Sequence, residues 1–187
     1  MRKVSSRENP IAARSRLALI SAADRLLEQR PAPEISIKDI VSAAGMSRPT
    51  FYQHFDGLGD LFAAAGLARL EEMFAAETSA APPLNLTDRF LSLVTNMEAS
   101  HQFLYHVYKS PGSAGFHKGA VRLTANWLRQ FPELAAIPQE DSALWEFLAS
   151  GVIWTITKHL AERCNNPETP SEPPAADLNR IFEGFFV

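Results

Sequence analysis

Cysteine is nearly absent from this chain of 187 residues: Cys164 stands alone. That rules out an intramolecular disulfide and any zinc site built from several cysteines. Long apolar runs are missing as well, since none approaches the roughly 18 residues needed to cross a bilayer. The first residues include Arg2, Lys3 and Arg7 but no apolar stretch of the kind a secretory signal requires, so a cytoplasmic location is expected. No glycine-rich phosphate loop is present. Gly57-Leu58-Gly59 is too short for one and reads as a helix start. His101, His106, His117 and His159 form no H-E-x-x-H pattern and adjoin no cluster of carboxylates. Neither an enzyme nor a metal or other cofactor is expected from such a chain. Strand-like alternation persists nowhere, and no internal repeat is visible. What remains is helix.

Positive charge is in short supply overall, with a formal net charge of −3, but it is unevenly placed. Residues 1–62 hold nine Lys/Arg against seven Asp/Glu, a net of +2, while residues 63–187 hold nine against fourteen, a net of −5. Five basic side chains (Arg2, Lys3, Arg7, Arg14 and Arg16) and one acid, Glu8, fall in the first sixteen residues. Phosphate binding depends on local charge at the contact face, not on the charge of the whole chain. Alone, such a segment would read as a solvated tail. Its meaning depends on the unit it precedes.

Helical spacing of Leu19, Ile20, Ala23, Leu26 and Leu27 predicts a first helix over about 11–29, ended by Pro31 and Pro33. Two short helices come next, on either side of Ala44-Gly45-Met46-Ser47. Ser36 is placed to cap the first of them, with Asp39 three residues on as its capping-box partner. Gly45 supplies the left-handed residue that ends it. Ser47 then caps the second, and Pro49 falls in its first turn, where a missing N–H is harmless. Ile40, Ala44, Met46 and Phe51 are the apolar contacts between the two. This is a helix-turn-helix, with a recognition helix expected over Ser47–Phe55. Such a unit sets the N-terminal part of its second helix in the major groove of DNA, so Arg48 and Thr50 face base edges, with Pro49 beside them and Gln53 a turn later. Arg48 is the strongest candidate for specificity, because a guanidinium bonds guanine in two places at once. Ser36, Lys38 and Ser47 lie near helix N-termini, where phosphate binds. Ahead of this unit, Arg7 and Arg14 become candidates for a DNA-touching arm.

The run from Asp39 to Phe55, A-A-G-M-S followed by R-P-T-F-Y-Q-H-F at its end, resembles the N-terminal signature of the tetracycline-repressor (TetR) family of transcriptional regulators. The likeness covers about a third of the chain and departs from the family pattern at two places. Val41 stands where alanine is usual, and Leu58 where a phosphate-contacting Lys or Arg is common. The resemblance implies that Tyr52 and His54 contact the DNA backbone. Read from packing alone, Thr50 would support the turn and His54 would lie against the first helix.

Further on, helices are expected over about 57–78, 84–108 (long or kinked), 118–130 and 140–164, with a loop over Ser110–Gly115, a proline-rich connector over 165–174 and a short last helix from Asp177. Residues 1–56 would then form the DNA-binding domain and 57–187 a helical effector-binding and dimerisation domain. The resemblance implies a small-molecule pocket among the central helices, for which Phe103, Tyr105, His106, Tyr108, Arg122, Asn126 and Trp127 are the candidates. The same aromatics would serve equally as core. Such a pocket would suit an apolar or aromatic ligand. Leu144, Phe147, Leu148, Gly151 and Trp154, with Leu178, Ile181, Phe182 and Phe185 at helical spacing, are candidates for a homodimer interface or for closing the monomer's core. The expected function is a sequence-specific regulator on a palindromic operator, acting as a repressor released by its ligand. The alternative is a DNA-binding regulator of the same fold with no small-molecule effector.

Overall fold

The computed structural model describes residues 10–79 and 86–165. Eight α-helices run in order: α1 (Pro10–Gln29), α2 (Ile37–Ala44), α3 (Arg48–Tyr52), α4 (Leu58–Ser79), α5 (Leu86–Ala99), α6 (His101–Tyr108), α7 (Ser113–Leu128) and α8 (Ser142–Asn165). Two 3₁₀ turns, Ala32–Glu34 and Pro132–Leu134, join α1 to α2 and α7 to α8. No strand occurs among the described residues, and the fold is all-α. Among them, no helix is long and apolar enough to cross a membrane. The last expected helix, with Leu178, Ile181, Phe182 and Phe185, lies outside the described residues, as does Arg7.

The N-terminal three helices close over Leu19, Ala23, Leu27, Ile40, Phe51 and Phe55, all essentially inaccessible to water. Helix α4 completes this core from the far side with Leu61 and Phe62, then continues into the second half of the molecule, where it lies along α7. One continuous helix therefore belongs to both cores. A second cluster forms around Trp127, which stacks on Phe74 (5.2 Å between ring centroids) and meets Phe90 and Phe131 edge-on at 5.3 and 4.7 Å.

The expected helix over 84–108 is two helices. Ser100 leaves helical geometry (φ −107°, ψ 17°), and the ring Nδ1 of His101 bonds the Glu98 carbonyl at 2.8 Å, satisfying a group that the end of α5 leaves open. Helix α7 starts at Ser113, five residues ahead of expectation, inside the stretch whose glycines read as a loop. Gly112 in that stretch and Gly119 beyond it serve close packing. A Cβ placed on Gly112 would stand 2.0 Å from the Gly59 carbonyl oxygen, and one on Gly119 would stand 2.5 Å from Leu67. At Gly112 the obstacle is the backbone of α4, and at Gly119 it is the Leu67 side chain.

Candidate nucleic-acid interface

Each expected local device of the helix-turn-helix is present. The Asp39 N–H donates to the Ser36 hydroxyl (3.2 Å) and the Ser36 N–H donates to the Asp39 carboxylate (2.9 Å), which closes the capping box. The Ser36 hydroxyl, then the Ser36 N–H and Arg30 at 3.4 Å, hold the Asp39 carboxyl below the usual carboxylate range. Gly45 is left-handed (φ 64°), and the Met46 N–H behind it bonds the Val41 carbonyl at 2.8 Å. Ser47 accepts from the Thr50 N–H at 3.2 Å and starts α3.

Helix α3 is shorter than the expected 47–55, ending at Tyr52, with the chain turning through Gln53 and His54 to Phe55. Its inner face is Phe51, which is fully buried, followed by Phe55. Its outer face carries Arg48, Pro49, Tyr52 and Gln53, all exposed. Among the described residues the side chains of Arg48 and Gln53 have no hydrogen-bond or ionic partner. Tyr52 is 59% exposed, and its ring stands edge-on to Phe51 at 5.3 Å, which orients the phenol outward. Thr50 is half-buried and its hydroxyl is 2.8 Å from that of Ser47, so it is engaged within the turn. His54 is half-buried, while Ser36, Lys38, Ser47 and Arg14 are exposed. Val41 is buried between α2 and its neighbours, and Leu58 packs against the core with no cation in its place.

The residues considered for a ligand pocket do not meet in one place. Tyr105 and Tyr108 line a narrow apolar slot among α4–α8, with Leu70, Met97, Leu104 and Ile156, and the open space inside is about 40 Å³. Phe103 and His106 face the other way. The guanidinium of Arg69 lies 4.6 Å over the Phe103 ring, and His106 Nδ1 bonds the Leu27 carbonyl of α1 at 2.7 Å. Trp127 belongs to the aromatic core, while Asn126 and Arg122 border two separate surface grooves. Helical rotation explains the split, since residues one or two apart on a helix face different sides.

Of the candidates for a dimer interface, Phe147 and Trp154 are 65% and 67% exposed and lie with Gly151 on one outer face of α8. Leu144 is half-buried. Leu148, about a quarter turn round α8 from that face, is buried inside the chain's own core at 4% exposure.

Sequence reasoning missed Arg69. It donates to Asp24 at 2.7 Å and Glu28 at 2.7 Å on α1, and to Ser100 at 3.4 Å between α5 and α6. Burial alone would lower its pKa, and the two carboxylates outweigh that and raise it. A lone Arg midway along a helix gives no sequence signal of partners some 41 and 45 positions away.

Residues 19–65 match the family described as bacterial regulatory proteins, tetR family. The match takes in the helix-turn-helix and part of the helix on either side of it. Over 39 residues the chain is 51% identical to the HTH-type transcriptional regulator EthR of Mycobacterium tuberculosis, a match that spans 21% of this chain and 18% of that protein. The fold extends further than the sequence match. The crystal structure of a TetR transcriptional regulator from Rhodococcus sp. aligns with a TM-score of 0.63 at 12% identity, covering 94% of this chain and 96% of the other. The TetR-family repressor AlkX from Dietzia sp. aligns with a TM-score of 0.62 at 17% identity, covering 96% and 97%. At such identities the likeness is one of fold.

Proposed function

We propose that this tetR-family chain is a sequence-specific DNA-binding transcriptional regulator of the cytoplasm, working as a homodimer on a palindromic operator. The observation that carries this reading is the outer edge of α3. Arg48, Tyr52 and Gln53 stand in solvent, without hydrogen-bond or ionic partners among the described residues, on a helix whose other side is locked by Phe51 and Phe55. Arg48 sits at the helix start, where the geometry of such units brings side chains to base edges. Tyr52 and His54 would bond phosphates, together with Ser36, Lys38, Ser47 and Arg14, which position the unit without reading sequence. One such unit covers too little DNA for useful specificity, so a second copy is required. The exposed Phe147, Gly151 and Trp154 face of α8 is the proposed seam.

Residues 1–56 would serve as the DNA-reading half and 57–187 as the half that senses. The action proposed is repression relieved by a small molecule entering the slot beside Tyr105 and Tyr108. A shift there would pass through α7 to α4, whose first turn lies against Gly112, and so to the helix-turn-helix. A second reading, regulation without any small-molecule effector, is favoured by the slot's 40 Å³, room for only a few waters as it stands. Selection of bound duplexes from a random pool tests the DNA reading. Recovery of a palindrome with half-sites about 34–36 Å apart is expected, and recovery of no preferred sequence would overturn it.

A further inference from the structure

Between Glu98 and Glu133 the chain has no Asp or Glu, yet it carries Lys109, Lys118, Arg122 and Arg129. This is a basic island within residues 63–187, whose net charge is −5. The fold places most of it around one feature. Lys118 and Arg122, one turn apart on α7, border a surface groove of about 480 Å³ together with His117, Leu67 and, across on α8, Glu146. Among the described residues Lys118, Arg122 and His117 have no hydrogen-bond or ionic partner. His117 also lines the apolar slot, so groove and slot meet at this residue. Lys109 lies over the rings of Tyr105 and Tyr108, which line the slot, at 5.6 and 6.0 Å.

An apolar channel that opens beside unpaired cations is matched by a molecule with an apolar tail and an anionic head. We propose that the effector is such an amphipath, its tail entering the slot and its carboxylate or phosphate head resting in the groove against Lys118 and Arg122, with His117 at the joint. This rests on the reading of the slot as an effector site. The slot is narrow because its own side chains close it: Leu70, Met97, Leu104 and Ile156 are flexible and apolar, and Met97 adapts with least cost to a chain pushed between them. The head stays in the exposed groove, so its attraction is screened by salt and moderate in size. A neutral or cationic ligand of equal length would leave the basic groove unused.

Calorimetric titration of the full chain, below the critical micelle concentration and at low salt, separates the contributions. The probes are dodecanoate, dodecyl phosphate, dodecanol, dodecyltrimethylammonium and inorganic phosphate. Dodecanoate or dodecyl phosphate is expected to bind about five- to tenfold more tightly than dodecanol, and the better of the two identifies the head. The Lys118→Gln/Arg122→Gln variant should lose that preference while keeping its affinity for dodecanol and its thermal midpoint. Inorganic phosphate alone should not bind measurably. Equal affinity for dodecanol and dodecanoate, a preference that survives in the double variant, or no binding of any twelve-carbon probe would each overturn the proposal. DNA affinity of the same preparation, measured by fluorescence anisotropy without any probe, reports separately on the regulator reading, so the two can fail independently.

Discussion

Arg48 heads a helix whose buried residues leave it nowhere to retreat: Phe51 is anchored, Ser47 holds the first turn, and the guanidinium stands in solvent. Replacing it with Ala should relax base preference at one symmetric operator position and cost about 1–3 kcal/mol per half-site. Arg14→Ala should instead weaken binding to every sequence alike and flatten the salt dependence. Competition between specific and random duplexes measures both. Asp39 gives a second residue-scale expectation. Its carboxyl titrates below its ordinary value of 3.8 in the folded chain, because the charged form is hydrogen-bonded to Ser36. A depressed folded pKa means that its contribution is complete above the unfolded value and disappears as pH falls through the folded one. The stability difference between the native chain and Asp39→Asn should therefore be constant from neutral pH down to about 5 and shrink below 3.8. Denaturant titrations across that range would show it, and a gap that persists unchanged to about pH 2 would contradict the assignment.

Among the elements, the contact of α4 with α7 decides most, since α4 is shared by both cores. Gly112 and Gly115 look alike in sequence and differ in what surrounds them. A Cβ on Gly112 would meet the backbone of Gly59 at 2.0 Å, which cannot move aside without shifting the first turn of α4. A Cβ on Gly115 would meet only the Ala63 side chain at 3.6 Å, an ordinary contact. Gly112→Ala should thus destabilise the chain by about 1–3 kcal/mol or more. Gly115→Ala should be neutral or stabilise by up to about 1 kcal/mol, through helix propensity. Thermal unfolding of the two variants side by side tests the contrast. Arg69 gives α4 a second tie, to α1 through Asp24 and Glu28 and to α6 through Phe103. His106 adds a direct bond from α6 to α1. The half proposed to sense is joined to the half proposed to read DNA by packing and by directed polar contacts, which is what a transmitted shift requires.

The whole molecule is expected to work as two copies. Phe147 and Trp154 are large, apolar and two-thirds exposed on one face of α8, an arrangement that is costly in water unless something covers it. Light scattering at micromolar concentration should give a dimer mass, and Phe147→Glu/Trp154→Glu should give a monomer with much weaker operator binding. Ligand and DNA must also be linked reciprocally if the proposed switch operates. Tenfold weaker operator binding needs only about 1.4 kcal/mol of differential affinity between two states. A ligand that loosens DNA tenfold should then bind the DNA complex tenfold more weakly than the free chain. Equal affinities would exclude a switch through α4.

Local rules determined the helix-turn-helix from the sequence alone. Ser36, Asp39, Gly45, Ser47 and Pro49 act on neighbours within three or four residues, so spacing suffices to read them, and their order also marks the family. The exposed edge of α3 was legible for the same reason: once Phe51 is assigned to the core, helical geometry sets Pro49 and Gln53 on the far side of the helix and turns Tyr52 away from the core. Tertiary structure decided the rest. Gly112 carries turn chemistry in sequence and Gly119 falls within an expected helix; both became close-packing positions only because α4 lies against them. Tyr105 and Tyr108 were separated from Phe103, His106 and Trp127 by rotation about their helix axes, set by partners far away in the chain. Arg69 found its carboxylates on α1 by the same long-range packing. Aromatic composition marked the second half as core-rich, but which side chains line a slot and which fill a core depends on how whole helices are rotated, and no local pattern encodes that.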